Sequence, residues 1–393
     1  MSGLNLLVMQ SGGCTPVINR SLYGIASAAY ESGAFDEVIG ARHGVEGLLR
    51  EDLINLNRLS KTQWRRIAKA TGAALGSTRT KLRLEQTSKV VNVLSRHKVS
   101  HLLIIGGNDS AETGQTVSNT SESNGLSLSV MHVPKTVNND LTITDHSPGF
   151  GSAARFLAFA TMGAGQDALA MGQASPITIM EVMGRDTGWL AASSALGKRK
   201  ECDPPHFVWV PEFPATEDQF VSQIENAYRR YGFAVAVVAE NSRTPEGVIG
   251  DQLEPWYVDD FGHPYYDGPA RYLASLVSQH LNIRVRYEKP GTIQRSFAAC
   301  LSPVDIREAE QVGRAAVRYA LDGHTGQMVT LVREPGKEYH CDTGLAGFEE
   351  VAGKVKTLPA SYFDTSANLP TGDFLSYALP LIGTPGLPQF VNI

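Results

Sequence analysis

The segment LLIIGGNDSAET (102–113) places an apolar run, two glycines and a polar helix start in immediate succession. A run that is apolar on both faces is typical of a buried strand, and the residues after the glycines are those that begin helices. The same alternation continues on both sides of this segment. Buried strands are predicted at 4–9, 102–105, 128–133, 177–183, 207–210 and 233–239, and helices at 17–31, 59–70, 83–97, 150–165, 217–231, 269–281 and 305–321. Strands that alternate with helices predict the α/β class with doubly wound parallel sheets.

The composition is that of an ordinary globular protein. Of 393 residues, 42% are hydrophobic, and 35 basic against 40 acidic residues give a net charge of −5. This mild negative charge argues against nucleic acid and membrane surfaces as partners, so an anionic substrate needs a local cluster of cations and backbone N–H groups. We find no signal peptide and no apolar run of about 20 residues that could span a membrane. The four cysteines have no paired spacing, which predicts reduced thiols and a cytoplasmic location.

Two loops after predicted strands have residues suited to phosphate. QSGGCTP (10–16) contains two glycines that let the backbone approach an anion, although a tight turn has the same pattern. In the loop that begins at Gly107, Asn108 and Asp109 stand where helix-capping residues belong. The same Asp109 carboxylate could instead hold Mg²⁺ beside phosphates bound by the glycines. The loop alone leaves both interpretations open.

A third loop, VPKTVNNDL (133–141), presents a row of polar side chains directly after a strand. Lys135 offers a point charge for phosphate, and Asp140 could act as a base or a metal ligand; a polar turn is the simpler alternative. Three such loops in one half of an α/β chain favour a functional site. Further basic residues follow glycines or strand ends, namely Arg79 in GSTRTK (76–81), Arg185 in MGRDTGWLA (183–191) and Arg295 in GTIQRS (291–296).

In this order along the chain, the motifs resemble those of the phosphofructokinase family. The matches are SGG (11–13), GSTR (76–79), GGNDS (106–110), PKTVNND (134–140), EVMGRDTGW (181–189), PE (211–212) and IQRS (293–296). The resemblance implies two α/β domains that face each other across an active-site cleft. The donor-binding domain would comprise 1–149 plus about 294–345, and the sugar-phosphate-binding domain about 150–293 plus about 346–393.

The family divides by phosphoryl donor, and this chain resembles its diphosphate-dependent branch. ATP users typically have GGDGS and PGTIDND, whereas this chain has Asp109 and Lys135 at the positions that differ. A carboxylate at 109 would repel the α-phosphate of a nucleotide, and Lys135 would offer its charge to a compact pyrophosphate.

The resemblance also implies a role for each matching residue. The donor would contact Gly12, Gly13, Arg79, Gly107, Asp109 and Lys135, and Mg²⁺ would be held by Asp109 and Asn108. The catalytic group would be Lys135, Thr136, Asn138 and Asp140. Fructose 6-phosphate would contact Thr136, Met183, Gly184, Arg185, Glu212, Arg286 and Arg295. Arg286 matches a residue that reaches the substrate of a neighbouring subunit, which implies a homodimer or homotetramer.

Three positions depart from the family pattern. Asn138 occupies the position of the catalytic base, and an amide oxygen is too weakly basic to take the hydroxyl proton. Asn108 replaces an aspartate, and Pro176 replaces an arginine. The leading hypothesis is a diphosphate–fructose-6-phosphate 1-phosphotransferase whose rate is lowered unless Asp140 or a water replaces the base. A non-catalytic sugar-phosphate-binding homologue and a phosphotransferase for another sugar phosphate are the alternatives.

Overall fold

The computed structural model describes residues 4–249, 255, 257–262, 264–265, 267–336 and 338–391. Its strands are β1 Asn5–Gln10, β2 Glu37–Ala41, β3 Leu53–Asn55, β4 Val99–Gly106, β5 Ser129–Pro134, β6 Ile177–Val182, β7 Phe207–Trp209, β8 Ala234–Ala239, β9 Arg243–Thr244, β10 Gly247–Val248, β11 Tyr257–Val258, β12 Pro264–Tyr265, β13 Val285–Glu288, β14 Gln327–Arg333, β15 Cys341–Gly347, β16 Phe363–Asp364 and β17 Leu369–Pro370. Its α-helices are α1 Ile18–Ser32, α2 Gly44–Arg50, α3 Lys61–Lys69, α4 Leu84–Arg96, α5 Asn108–Ser123, α6 Phe150–Met171, α7 Trp189–Ser193, α8 Glu217–Tyr231, α9 Pro269–Leu281, α10 Pro303–Leu321, α11 Phe348–Val351 and α12 Gly372–Ile382.

The chain divides into two compact units. Unit 1 comprises Met1–Gly149, Asp259–His263 and Val304–Val355, and unit 2 comprises Phe150–Val258, Pro264–Pro303 and Lys356–Ile393. The last segment of unit 1 lies about ten residues further along the chain than the 294–345 expected from the sequence. The functional division into a donor-binding and a sugar-phosphate-binding domain stays a prediction.

Unit 1 is built on a seven-stranded sheet in the order β15-β14-β5-β4-β1-β2-β3. The five central strands are parallel, whereas β3 and β15 pair antiparallel with their neighbours. The two antiparallel edge strands, β3 and β15, were not among the strands predicted from the sequence. A short antiparallel connection suffices between β14 and β15, which are neighbours in the chain and in the sheet.

The central strands β1, β4 and β5 of unit 1 are buried on both faces because helices cover the sheet on both sides. Along β1, the side chains of Leu6 and Val8 belong to one apolar cluster, and those of Leu7 and Met9 belong to another. The first cluster includes residues of α1 and α10, and the second includes residues of α4 and α5. This arrangement confirms the doubly wound α/β fold expected from the sequence.

Unit 2 contains a four-stranded parallel sheet in the order β13-β6-β8-β7. Residues of α8 and α9 pack in the same apolar cluster as β6, β7 and β8, and residues of α6 join a second cluster with β8. The segment 241–268 contains the short pairs β9–β10 and β11–β12, and part of it lies outside the described residues. Within the described ranges, no helix is long and apolar enough to cross a membrane.

Candidate active site

Three loops lie side by side at the carboxyl edge of the unit 1 sheet. They follow β1, β4 and β5, which are parallel neighbours. The Ser11 N–H donates to the Ile105 carbonyl at 2.9 Å, and the Lys135 N–H donates to the Gly106 carbonyl at 2.9 Å. The three loops that the sequence singles out for phosphate binding are therefore brought together within unit 1.

Lys135 is buried at the centre of these loops, with only 3% of its surface exposed. Its Nζ donates to the Gly13 carbonyl at 2.6 Å. Gly12 has a φ of 76°, which favours glycine, and a Cβ there would lie 3.1 Å from the Lys135 Nζ. A buried ammonium group beside a glycine loop is an arrangement that suits an anionic phosphate group.

The loop after β4 leads directly into the N-terminus of α5. Gly107 is the N-cap residue and Asp109 lies in the first turn of the helix. Asn108 does not cap the helix: its Oδ1 accepts a hydrogen bond from the Asp109 N–H at 2.9 Å, and its Nδ2 donates to the Lys354 carbonyl at 3.4 Å. The Asn108 amide thus contributes to the local fold, and Asp109 supplies the carboxylate at this helix start.

The surroundings of Asp109 fit a magnesium ion that is shared with a phosphate ligand. Among the described residues, no group of three or more His, Cys, Asp and Glu side chains could hold a metal. In phosphoryl transfer, however, Mg²⁺ is commonly held by one or two carboxylates together with phosphate oxygens and water. Half-buried Asp109 provides one such carboxylate beside the glycine loops. Its role as a ligand, and that of Asn108, stay predictions.

The loop after β5 carries the residues expected at the reaction centre. The Thr136 Oγ1 accepts a hydrogen bond from the Asn138 N–H at 3.1 Å, and the Asn138 Nδ2 donates to the Asp140 Oδ2 at 3.2 Å. Asn138 and Asp140 are both buried. The structure therefore places a carboxylate directly beside the amide that occupies the base position.

A buried imidazole fixes the far end of the same loop. His146 lies 2.8 Å from the Asp145 carboxylate through Nδ1 and 2.6 Å from the Glu308 carboxylate through Nε2. Burial alone lowers the pKa of His146, but the charges and hydrogen bonds of Glu308 and Asp145 outweigh it and raise the pKa to about 9. The Gly149 N–H also donates to the Asp305 carboxylate at 2.7 Å. Since Asp305 and Glu308 lie on α10, that helix fixes the end of the loop.

The segment 76–81 is held against α2. The Glu46 Oε1 accepts hydrogen bonds from the hydroxyl groups of Thr78 at 2.7 Å and Thr80 at 2.5 Å. The Thr78 carbonyl in turn accepts a hydrogen bond from the glycine loop after β1 at 2.8 Å. Arg79, between the two threonines, is thereby placed next to that loop. The sequence did not single out Glu46, whose carboxylate orders this segment.

In unit 2, the residues expected to bind the sugar phosphate follow β6. Arg185 has a φ of 51°, which is uncommon for a residue other than glycine. Glu240, at the end of β8, accepts hydrogen bonds with one oxygen from the Gly184 N–H at 3.2 Å and the Arg185 N–H at 2.9 Å. The Gln294 Oε1 accepts from the Met183 N–H at 3.2 Å. Sequence reasoning missed Glu240 and Gln294, although a carboxylate directly after the predicted strand 233–239 was an available signal.

Two arginines expected at the sugar phosphate have different surroundings. Arg295 ends the short 3-10 helix that also carries Gln294, and its buried Nε has no hydrogen-bond partner within the described part of the chain. Arg286, on β13, forms an ion pair with Asp167 and donates to the Ser175 carbonyl at 3.4 Å. Arg286 is therefore engaged within its own unit, and its action on a neighbouring subunit stays a prediction.

Glu212 has a structural environment that the sequence did not suggest. Its Oε1 accepts hydrogen bonds from the Gly188 N–H at 3.0 Å and the Leu358 N–H at 2.8 Å. Burial outweighs these hydrogen bonds and raises the pKa of Glu212. The carboxylate joins two distant segments of unit 2, and its expected contact with the sugar phosphate stays a prediction.

One edge of this doubly wound sheet combines glycine loops, a buried lysine and a carboxylate at a helix start. This combination is typical of α/β proteins that bind phosphate groups. The family model described as Phosphofructokinase matches residues 5–320, so this chain belongs to the phosphofructokinase family. A relative from Rhodospirillum rubrum, a pyrophosphate--fructose 6-phosphate 1-phosphotransferase, is 38% identical over 98% of this chain and 95% of its own length.

Solved structures and a further relative extend this comparison. The crystal structure of a pyrophosphate-dependent phosphofructokinase from Marinobacter aquaeolei has a TM-score of 0.87 and 33% sequence identity, and the match covers 99% of this chain and 94% of that one. A sulfofructose kinase from Alkalicoccus urumqiensis is 28% identical over 92% of both chains. Similarity across nearly the whole length of these proteins agrees with the fold described above.

Proposed function

We propose that this chain reversibly transfers a phosphoryl group between pyrophosphate and the 1-hydroxyl of fructose 6-phosphate. The observation that carries the proposal is the joint placement of Asp109 and Lys135 on neighbouring loops of one site. A carboxylate there disfavours the extra phosphate of a nucleotide, while the buried ammonium suits a short anion. The names and high coverage of the relatives support the same donor and acceptor.

The unit 1 loops would bind pyrophosphate through backbone N–H groups and two cations. Gly12, Gly13 and Gly107 would allow the backbone to approach the donor closely, and Lys135 and Arg79 would neutralise its charge. Asp109, with the neighbouring Asn108 as the other predicted ligand, would hold Mg²⁺, which when bound supplies further neutralisation of the phosphate oxygens. Phosphoryl transfer depends chiefly on such positioning and charge stabilisation.

Proton removal from the acceptor hydroxyl would fall to Asp140. The amide of Asn138 cannot serve as a base, but its Nδ2 lies 3.2 Å from the Asp140 carboxylate. Asp140 would accept the proton directly or through one water, with Thr136 beside the reacting hydroxyl. Asn138 would then orient Asp140 by its hydrogen bond.

The acceptor would bind to the loop after β6 in unit 2. Arg185 and Arg295 would hold the phosphate of the sugar by charge-assisted hydrogen bonds, and the Met183–Gly184 backbone would contact the sugar. Glu240 and Gln294 would keep that backbone in place through the hydrogen bonds described above. A homodimer or homotetramer, a contact of Arg286 with a second subunit and a cytoplasmic location complete the proposal.

The test is the phosphorylation of fructose 6-phosphate with pyrophosphate and with ATP at equal Mg²⁺ concentration. We expect kcat/KM to be higher for pyrophosphate. Asp109→Gly should admit ATP to a measurable extent, and more so when combined with Lys135→Gly. Asp186→Asn, an exposed position in unit 2, serves as the control and should leave the donor preference unchanged. A wild-type preference for ATP would disprove the choice of donor.

The sulfofructose kinase relative favours one further candidate, a different phosphorylated or sulfonated sugar as acceptor. The anion-binding residues Arg185 and Arg295 would suit either group. The same assay with sulfofructose in place of fructose 6-phosphate distinguishes them. We expect the higher kcat/KM with fructose 6-phosphate, and the opposite order would reassign the acceptor.

A further inference from the structure

Residues 259–262 lie in unit 1 against the segment that carries Arg79, about 180 positions away in the chain. The Asp259 Oδ2 lies 3.6 Å from a terminal nitrogen of the Arg79 guanidinium. The Asp259 side chain is 2% exposed, whereas that of Arg79 is 35% exposed. The carboxylate is thus inside the fold while the guanidinium reaches its surface. Such a pair is screened less by solvent than an ordinary surface ion pair.

The Asp259 carboxylate is itself fixed by its own turn. Its Oδ1 accepts a hydrogen bond from the Phe261 N–H at 3.1 Å, and the Gly262 N–H donates to the Asp259 carbonyl at 2.9 Å. The Phe261 ring also lies 5.8 Å from the Lys81 Nζ, which gives the two segments a second contact. A carboxylate held in this way can orient a long and flexible cation.

The backbone around Arg79 is fixed from the opposite direction. The hydroxyl groups of Thr78 and Thr80, on either side of Arg79, both donate to the Glu46 carboxylate. With the backbone held there, the remaining freedom is that of the Arg79 side chain, which has several rotatable bonds. Asp259 lies where it restricts that freedom.

We propose that Asp259 is a positioning residue for donor binding, which holds the Arg79 guanidinium in the orientation that receives pyrophosphate. The inference rests on the proposed function. A guanidinium has five N–H donors in one plane, so one nitrogen can stay beside a carboxylate while others bind a phosphate. An arginine that is already oriented loses less freedom on binding, which strengthens the complex. The Asp259 carboxylate also repels the anionic donor, which acts against binding. Removing its charge should therefore weaken pyrophosphate binding if orientation of Arg79 dominates, and strengthen it if repulsion dominates.

The test is calorimetric titration of the full chain with pyrophosphate in the presence of Mg²⁺, which needs no turnover. We expect Asp259→Asn to raise the Kd for pyrophosphate by about three- to tenfold, as for loss of a partly buried charge pair. The Kd for fructose 6-phosphate should change less than about twofold in the same preparation. Asp260→Asn changes the adjacent, exposed carboxylate and should leave both constants unchanged.

A double-mutant cycle separates positioning from a general loss of structure. In an Arg79→Ala background, Asp259→Asn should have no further effect on pyrophosphate binding. Asp259→Glu keeps the charge but moves it by one methylene group, so it should weaken binding to a smaller extent, and it carries the test if Asp259→Asn does not fold. Unchanged or tighter binding in the Asp259 variants, or an equal loss with and without Arg79, would overturn the inference alone. A wild-type chain that does not bind pyrophosphate would overturn the proposed function together with it.

Discussion

Asn138, at the position predicted for the catalytic base, allows the sharpest test of the proposed mechanism at the residue scale. Its amide is nearly isosteric with a carboxylate, so Asn138→Asp should fold normally and bind both substrates with similar affinity. Since Asp140 is proposed only as a substitute for the missing carboxylate, a base restored at 138 should raise kcat by about two to four orders of magnitude, the range for a positioned general base. KM should change little because the gain belongs to the transition state. Steady-state kinetics with pyrophosphate and fructose 6-phosphate measures both constants.

The neighbouring Asp140 determines how this gain depends on pH. The Asn138 Nδ2 lies 3.2 Å from an Asp140 oxygen, so Asn138→Asp places two carboxylates side by side. Like charges so close disfavour each other's ionisation, and the variant should therefore lose activity as pH falls while one carboxylate gains a proton. Asn138→Ala, which offers neither a base nor the hydrogen bond to Asp140, is the control. A fast wild-type enzyme that gains nothing from Asn138→Asp would show that Asp140 removes the proton as effectively as a carboxylate at 138 would.

Residues that lie within a sequence motif were singled out as candidates. Residues that contact the candidate site from a remote part of the chain were missed. The sequence identified Lys135 and Asp109 because glycine loops and strand ends frame them. Glu240 and His146 stand outside any motif, and their importance arises from contacts that span 55 and 162 positions of the chain. A single carboxylate after a predicted strand, such as that of Glu240, does not indicate which backbone N–H groups it will bind.

At the scale of elements, α10 holds the end of the loop after β5 through contacts with His146 and Gly149. The pKa of His146 is raised to about 9 from an ordinary value of 6.5, so the protonated ring stabilises the fold fully below pH 6.5. This stabilisation should be lost as pH rises from 6.5 to 9, by about 3 kcal/mol in the free energy of unfolding. Urea unfolding at pH 6 and pH 9.5 measures it. The groups around the ring are Asp145, Glu308 and the Tyr339 hydroxyl, which hydrogen-bonds to Glu308.

Variants isolate the His146 contribution from the other titrating groups. His146→Gln should lose most of the decrease in stability between pH 6 and pH 9.5. His340→Gln is the control because the His340 side chain forms an exposed ion pair with Glu334. This variant should behave like the wild type. His132 and His206, whose pKa values burial lowers to about 3 and about 4, titrate below this range. Lys198, whose pKa burial lowers to about 8, titrates within it in both proteins, so the difference between the wild type and His146→Gln isolates His146. An identical pH dependence in His146→Gln and the wild type would contradict the assignment.

The helices and strands that the sequence predicted are those with strong patterns. The six predicted strands correspond to β1, β4, β5, β6, β7 and β8, which are buried on both faces and therefore read as continuous apolar runs. The strands that the sequence did not predict include the interior strands β2 and β14 and the edge strand β15, whose sequence CDTGLAG contains few large apolar residues. Helix α12 was not predicted, because its internal proline obscures the helical pattern. The return of the chain to unit 1 was expected only from the family resemblance, since the pairing of β14 with β5 joins residues about 200 positions apart.

At the scale of the whole molecule, the proposed function assigns pyrophosphate to unit 1 and fructose 6-phosphate to unit 2. The candidate donor residues all lie in unit 1. The candidate sugar-phosphate residues lie in unit 2, with the exception of Thr136. Lys135→Ala should therefore weaken pyrophosphate binding by roughly tenfold to a hundredfold, as expected for loss of a charge-assisted contact, and leave fructose 6-phosphate binding nearly unchanged. Arg295→Ala should have the reverse effect by a similar factor. Calorimetric titration of each variant with each ligand gives four constants, and Arg199→Ala, an exposed basic residue of unit 2, is the control for a general loss of positive charge. If each variant weakened the binding of both ligands equally, the two units would not bind separate substrates. The assignment of pyrophosphate to unit 1 and of fructose 6-phosphate to unit 2 would then be wrong.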